Sequence, residues 1–392
     1  MRIGILGTTW PYRGGLAAFN ERLARQFIAE GHEVDIFTFT MQYPDFLFPG
    51  KTQYSDAPEP ADLSITRTMN SINPFTWCST ARKIKKAKID LLVIKFWIPL
   101  MAPCLGTIAR LCRRRGIKVV SILDNVIPHE PHFWDKWLIR YFIRSVDRFI
   151  AMSESVQADC RKFLPAKRHD AVSLNPHPLY DNFGQAVPKD EARAFLNLPQ
   201  DKTILLFFGF IRDYKGLDLL MRAYAKTITN RHGSADRQKS QITNNEVLLV
   251  VAGEFYNNAA QYSELEKELH LEGTIEWRTD FIPDDKVRYY FSAADLIVQP
   301  YKTATQSGVT QIAYHFERPM LVTNVGGLAE IVPNGKVGYV CDVDENDIAK
   351  ALSAFSQMNT EQREQQFRKN IQTEKQKYAW SAMTAKIYEN TK

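Results

Sequence analysis

The segment TATQSGVTQIAYHF, residues 303–316, gathers hydroxyl and amide side chains around one glycine and carries no carboxylate, lysine or arginine. It follows an apolar run at 296–299 that closes on Pro300, and it leads into a helical pattern. At such a strand-to-helix turn the first backbone N–H groups of the helix, reinforced by its dipole, form an anion site, and Gly308 lets the backbone come close. Thr305, Gln306, Ser307, Gly308 and Val309 are the residues that would line it. The competing reading is a plain helix cap, in which the hydroxyl of Ser307 or Thr305 occupies those amides.

A second segment, GFIRDYKG at 209–216, sets Arg212 and Lys215 just before a helical run. A guanidinium forks onto phosphate oxygens and an ammonium adds a point charge, so the pair suits a diphosphate that gains charge as a bond breaks. Solvated surface cations are the alternative. A third, PYRGGL at 11–16, places Gly14 and Gly15 ahead of another helix, without the G-x-G-x-x-G spacing of dinucleotide binders.

The elements that must carry these segments alternate. Apolar runs at 3–6, 34–39, 91–94, 119–123, 148–152 and 171–174 are separated by helical patterns and read as a parallel, doubly wound sheet. Prolines 176, 178, 188 and 199 mark a connector. The same alternation then restarts with runs at 203–208, 247–252, 274–277, 296–299 and 320–323, interrupted by a polar stretch between 229 and 246 read as a surface excursion. Each chemical segment follows a strand, where open α/β sheets bind ligands.

A length of 392 residues with 45% hydrophobic content supports two packed domains. Five scattered cysteines form no metal clip or redox pair and suit a reducing cytoplasm. No export signal or membrane span is expected, since the apolar stretch 91–112 is broken by Lys95, Pro99, Pro103 and Arg110. The net charge of +6 comes without a nucleic-acid-binding module, so no nucleic-acid partner is expected. Lys136, Arg140, Arg144 and Arg148 recur every fourth residue beside Trp134, Trp137 and Tyr141, as one helical stripe. That stripe reads either as the solvated face of a core helix buried through Leu138, Ile139, Phe142, Ile143 and Val146, or as contact with anionic lipid at the inner face of the membrane.

The stretches GFIRDYKGLDLLMRAYA, AADLIVQPYKTATQSGVTQIAYHFERPMLVTNVGGLAEIV and WPYRGGLAAFNERLARQF resemble the retaining glycosyltransferases of the GT-B fold, family-4 (group 1) type, and the likeness runs over nearly the whole chain. The resemblance implies an α/β protein with two Rossmann-like domains facing across a cleft. Residues 1–180 would form the acceptor domain, residues 181–377 the nucleotide-sugar domain, and helix 378–392 would pack back on the first. By position, Arg212 and Lys215 fall on the family's diphosphate-binding pair, Gly14 and Gly15 on the glycine loop that reaches the donor phosphates, and 305–309 on the loop that meets phosphate and ribose. Phe281 and Ile282 fall near the nucleobase turn.

This chain departs from the family at two places. Aligned on Pro319, the family's glutamate pair is replaced by Ala304 and Ile312, with Gln306 and Gln311 close by as neutral partners for hydroxyls. In LDNVIPHE at 123–130, Asp124 stands where many members have a histidine, and Asn125, His129 and Glu130 follow as candidates for acceptor handling.

The implied reaction moves a hexose from a UDP- or GDP-linked donor to a saccharide or lipid-linked saccharide, in cell-surface polysaccharide or glycolipid synthesis. The leaving phosphate takes the acceptor proton, so no protein nucleophile is required, and none is evident: there is no nucleophile elbow and no H-E-x-x-H. Asp284-Asp285 reads as a helix start and Asp342-Val343-Asp344 as a surface cap, so neither cofactor nor metal is expected. Two other readings are a sugar-nucleotide epimerase or hydrolase, which would need an acid/base set from Asp124, His129 and Glu254, and a non-catalytic nucleotide-sugar binder.

Overall fold

A computed structural model of the chain describes residues 1–44, 52–128, 132–229, 247–256, 259–304 and 307–391. It divides into two compact units, Met1–Pro178 with Tyr378–Lys392, and Leu179–Lys377.

The first unit is built on β1 (Arg2–Leu6), β2 (Glu33–Met41), β3 (Ser64–Asn70), β4 (Leu91–Phe96), β5 (Lys118–Leu123), β6 (Arg148–Ala151) and β7 (Val172–Leu174), in the order β3-β2-β1-β4-β5-β6-β7. Every neighbouring pair is parallel. Helices cover both faces, so the central strands are unbroken apolar runs: β4, LLVIKF, is buried at every position. One face is covered by Phe19, Leu23 and Phe27 of helix Gly15–Ala29 together with Trp380, Met383 and Ile387 of helix Trp380–Glu389. The other is covered by helices Pro74–Lys86, Ala102–Arg113 and Asp135–Ile143, and there the rings of Phe96 and Phe142 stack at 4.0 Å.

The second unit contains β8 (Thr203–Phe208), β9 (Val247–Ala252), β10 (Ile275–Arg278), β11 (Leu296–Gln299), β12 (Met320–Thr323) and β13 (Gly338–Cys341), in the order β10-β9-β8-β11-β12-β13, again parallel throughout. Asp295 ties the sheet together where β11 begins. Its carboxylate takes hydrogen bonds from Arg193 at 2.8 Å and from the backbone N–H of Ile204 at 2.7 Å, and it pairs with Lys189. Asp284 opens helix Asp284–Ala293, and Asp344 caps helix Glu345–Gln357 through the N–H groups of Asn346 and Asp347.

Two features differ from expectation. The strands β3, SITRTMN, and β13, GYVC, are not among the expected runs: β3 is largely hydroxyl, charged and amide residues, and β13 is four residues long and opens on a glycine. The basic stripe is shorter than its spacing suggests. Helix Asp135–Ile143 stops with Arg144 at its C-cap, Ser145 turns inward with Oγ donating to the Tyr141 carbonyl at 2.7 Å, and Arg148 sits on β6, paired with Asp170 at 3.2 Å. Most of the polar stretch 229–246 lies outside the described residues.

Candidate functional site

In the second unit the loop after β8 is forced against the segment after β11. Gly216 is left-handed at φ 67°, and a Cβ there would lie 2.0 Å from the Pro300 carbonyl oxygen, so no other residue fits without moving the backbone. This turn closes the one-turn 3-10 helix Asp213–Lys215 and buries Lys215, which is 9% exposed. The Lys215 ammonium lies 5.7 Å from the ring centre of Tyr301, and the Arg212 guanidinium sits 3.8 Å over the ring of Tyr256. Burial, then the like charge of Arg212, push Lys215 down to about 8. The fold therefore holds two cations side by side with aromatic faces as their support. An arrangement that disfavours its own charge is relieved by an anion.

The segment after β11 gives a mixed answer. Ser307 is the N-cap of helix Gly308–His315, with Oγ accepting from the N–H of Val309 at 3.2 Å. The expectation of bare amides thus fails at Val309, whose N–H is satisfied within the turn. Gly308 also has a packing role within this unit. A Cβ there would meet Cε2 of Tyr180 at 2.7 Å, so the glycine makes room for an aromatic ring. Gln311 is not available to a sugar hydroxyl in this structure, because it faces the core with no exposure and neither amide atom hydrogen-bonded. Thr305 and Gln306 lie outside the described residues. Phe281, half exposed, and Ile282 fall in the loop between β10 and helix Asp284–Ala293.

In the first unit Gly14 is the N-cap of helix Gly15–Ala29 at φ 99°, and Gly15 is its first residue. Glu21 anchors the loop before them, accepting from Thr9 Oγ1 at 2.9 Å and from the Trp10 N–H at 3.1 Å. Across the sheet, the Asp124 N–H bonds the Phe96 carbonyl at 2.9 Å and carries the carboxylate just past the end of β5. There it meets Lys95 Nζ at 2.7 Å. Asn125 follows, half-buried, while His129 and Glu130 lie outside the described residues.

Several groups near these sites were not singled out from sequence as site residues: Lys95, Tyr180, Tyr256 and Tyr301. Lys95 had a legible signal, a cation inside the apolar run LLVIKFW. The tyrosines had none, because their relevance depends on loops from different strands meeting. Among the described residues no group of His, Cys, Asp and Glu side chains is arranged to hold a metal ion. No helix among them is long and apolar enough to cross a membrane.

Comparison with known proteins bears on both units. Residues 188–374 match the family described as "Glycosyl transferases group 1", and residues 13–173 match "Glycosyltransferase Family 4". A D-inositol 3-phosphate glycosyltransferase of Streptomyces avermitilis is 28% identical over 201 residues, covering 50% of this chain and 41% of that protein. The chain spans about half the length of the curated relatives it first matches. An N-acetyl-alpha-D-glucosaminyl L-malate synthase of Bacillus anthracis is 24% identical and aligns over 88% of this chain and 84% of its own. Among solved structures, sucrose-phosphate synthase from Thermosynechococcus elongatus superposes with a TM-score of 0.71 at 18% identity, covering 100% of this chain and 99% of that one. Anabaena HepE in complex with UDP superposes with a TM-score of 0.73 at 15% identity and the same coverage, which establishes the GT-B type of fold. With one family matched on each compact unit, the chain belongs to the group 1, family-4 type of glycosyltransferases.

Proposed function

We propose that this protein transfers a hexose from a nucleoside diphosphate sugar to a hydroxyl of a saccharide or lipid-linked saccharide, with retention at the anomeric carbon and without a metal. The observation that carries the reading is the Arg212–Lys215 pair, two like charges packed against Tyr256 and Tyr301 after β8. Such a pair costs free energy when empty and repays it when a diphosphate accumulates charge, which is the condition for stabilising a departing group more than a bound one. In the transfer, the bond from C1 to the diphosphate oxygen breaks and one from C1 to the acceptor oxygen forms. The acceptor proton passes to a leaving-group oxygen, and the products are the glycoside and the nucleoside diphosphate.

Gly14 and Gly15, Phe281 and Ile282, and the turn 305–309 are assigned to the donor. Asp124, Asn125, His129 and Glu130 are assigned to the acceptor. Relatives named for inositol 3-phosphate, L-malate and lipopolysaccharide support a hydroxyl-bearing acceptor while leaving its class open to selection. HepE is solved with UDP-glucose, which makes UDP-glucose the first donor to test.

The membrane face is part of the reading, together with a role in cell-surface polysaccharide or glycolipid synthesis at the inner side of the membrane. It is supported by Phe133 and Trp137, 82% and 71% exposed, beside Arg140 and Arg144. Two depressions share those arginines, one reaching Arg110 and Trp137 and the other Lys162 and Arg168, and neither is lined by a carboxylate.

The decisive experiment follows nucleotide release from UDP-glucose, UDP-N-acetylglucosamine and GDP-mannose, with and without lipid extract or simple glycosides. Release that requires acceptor is expected, and Lys215→Ala should lower it by about 10²-fold or more with the melting profile retained. Binding without release points to a nucleotide-sugar binder, an isomerised donor to an epimerase, and unchanged turnover in Lys215→Ala removes the phosphate assignment.

A further inference from the structure

Lys95 lies on β4, beside the point where the strand order of the first sheet reverses between β1 and β4. Its side chain is 3% exposed, yet its ammonium stays in the sheet's carboxyl-end layer, 2.7 Å from Asp124 Oδ1 and 3.4 Å from the ring centre of Phe19. An ammonium removed from water costs several kcal/mol unless paired, and a buried pair returns little net stability over an apolar replacement. What the pair does supply is direction. Asp124 retains 18% exposure, so its carboxylate reaches the surface at the end of β5 while its root is fixed from below. This is the edge at which parallel sheets receive ligands, next to the reversal.

The groups packed around Lys95 leave it little other role. Phe19 comes from helix Gly15–Ala29 and contributes a π face. His177, from the segment after β7, meets Phe19 edge-on at 5.3 Å and its Nδ1–H donates to the Pro178 carbonyl, 2.7 Å away. Burial and then the Lys95 charge push His177 down to about 3, so it is neutral and does not compete as a cation for Asp124.

We propose that Lys95 is a positioning residue of the acceptor side: it holds the Asp124 carboxylate at the end of β5, where that carboxylate receives a hydroxyl of the acceptor. The inference rests on the transferase reading above and adds to it a residue of the first unit that touches no substrate. Because the carboxylate accepts a hydroxyl proton in a hydrogen bond, its rotation matters as much as its charge. Lys95→Met keeps length and removes the anchor. A misplacement of about 1 Å costs on the order of 10²-fold when a reacting group is involved.

The test compares the wild type, Lys95→Met, Asp124→Asn and the double variant, all as full-length protein, with the acceptor identified in the release assay. Two rates are read for each: acceptor-dependent transfer, and release of nucleotide to water without acceptor. The expected result is a loss of about 10²-fold in acceptor kcat/KM for Lys95→Met, a far smaller loss in release to water, and a double variant no worse than Asp124→Asn. Equal losses in both rates, or single losses that multiply in the double variant, overturn the proposal. Should Lys95→Met fail to fold, Asp124→Asn decides: an unchanged acceptor kcat/KM overturns it. A wild type that shows no acceptor-dependent release with any donor defeats the transferase reading itself, and with it this inference, whereas an active wild type with indifferent variants defeats the inference alone.

Discussion

Lys215 shows how one residue's surroundings set the pH range of the whole site. In water a lysine stays charged until 10.5, but here burial and Arg212 bring it to about 8. The proposed diphosphate role requires the cationic form. In the free enzyme kcat/KM is therefore full below about 8 and should fall as pH rises through that value, while a bound diphosphate raises the lysine again and moves the corresponding limb of kcat upward. The same shift acts on folding with a fixed sign. Between about 8 and 10.5 the unfolded chain holds a proton that the folded one has lost, so this group's contribution to stability increases with pH across that window. Rate profiles in kcat/KM and kcat against pH check the prediction; an alkaline limb shared by both, at one position, contradicts it.

At the scale of the element, helix Asp135–Ile143 separates two uses of one amphipathic segment. Ile139, Phe142 and Ile143 are buried against the sheet, which accounts for the helix existing at all. Phe133 and Trp134, just before the helix, and Trp137 on it are left exposed near Lys136, Arg140 and the C-cap Arg144, a combination costly in water and favourable at a lipid headgroup layer. Each cation near an anionic surface contributes about 1 kcal/mol, so the paired change Arg140→Gln with Arg144→Gln should weaken binding to phosphatidylglycerol vesicles by roughly tenfold or more at low salt. Sedimentation at low and high salt reads this directly. Equal sedimentation with neutral phosphatidylcholine vesicles, or no difference between variant and wild type, contradicts it.

At the scale of the whole molecule, the chain leaves the first unit at Pro178 and returns to it at Tyr378. The returning helix Trp380–Glu389 completes the core over helix Gly15–Ala29: Trp380 meets Phe19 at 5.0 Å, Tyr388 meets Phe27 at 5.8 Å, and the hydroxyls of Thr384 and Tyr388 both donate to Glu30, at 2.7 and 3.0 Å. Trp380 is 3% exposed, and removing a buried tryptophan side chain costs about 3–5 kcal/mol. Trp380→Ala should therefore accelerate amide hydrogen exchange throughout helix Gly15–Ala29, although that helix lies more than three hundred residues away in sequence. Exchange in that helix indistinguishable from the wild type contradicts the prediction.

The amino-acid sequence by itself determined the alternation of buried parallel strands and covering helices, because a strand enclosed on both faces must be apolar at nearly every position, as in LLVIKF and VLLVVA. It also marked out where a ligand would be expected to bind, since Arg212, Lys215 and Asp124 each follow such a run. It left β3 and β13 unread, because β3 is largely polar and β13 is a four-residue run that opens on a glycine. Only the tertiary structure decided what each site residue touches. Tyr180 at Gly308, Tyr256 under Arg212, Tyr301 near Lys215 and Lys95 behind Asp124 come from segments separated along the chain. The physical reason is that desolvation and pairing are set by neighbours in space. Whether a lysine is a solvated surface charge or a buried one near neutrality, and whether a glycine opens a backbone or admits a ring, depends on atoms that the local sequence does not contain.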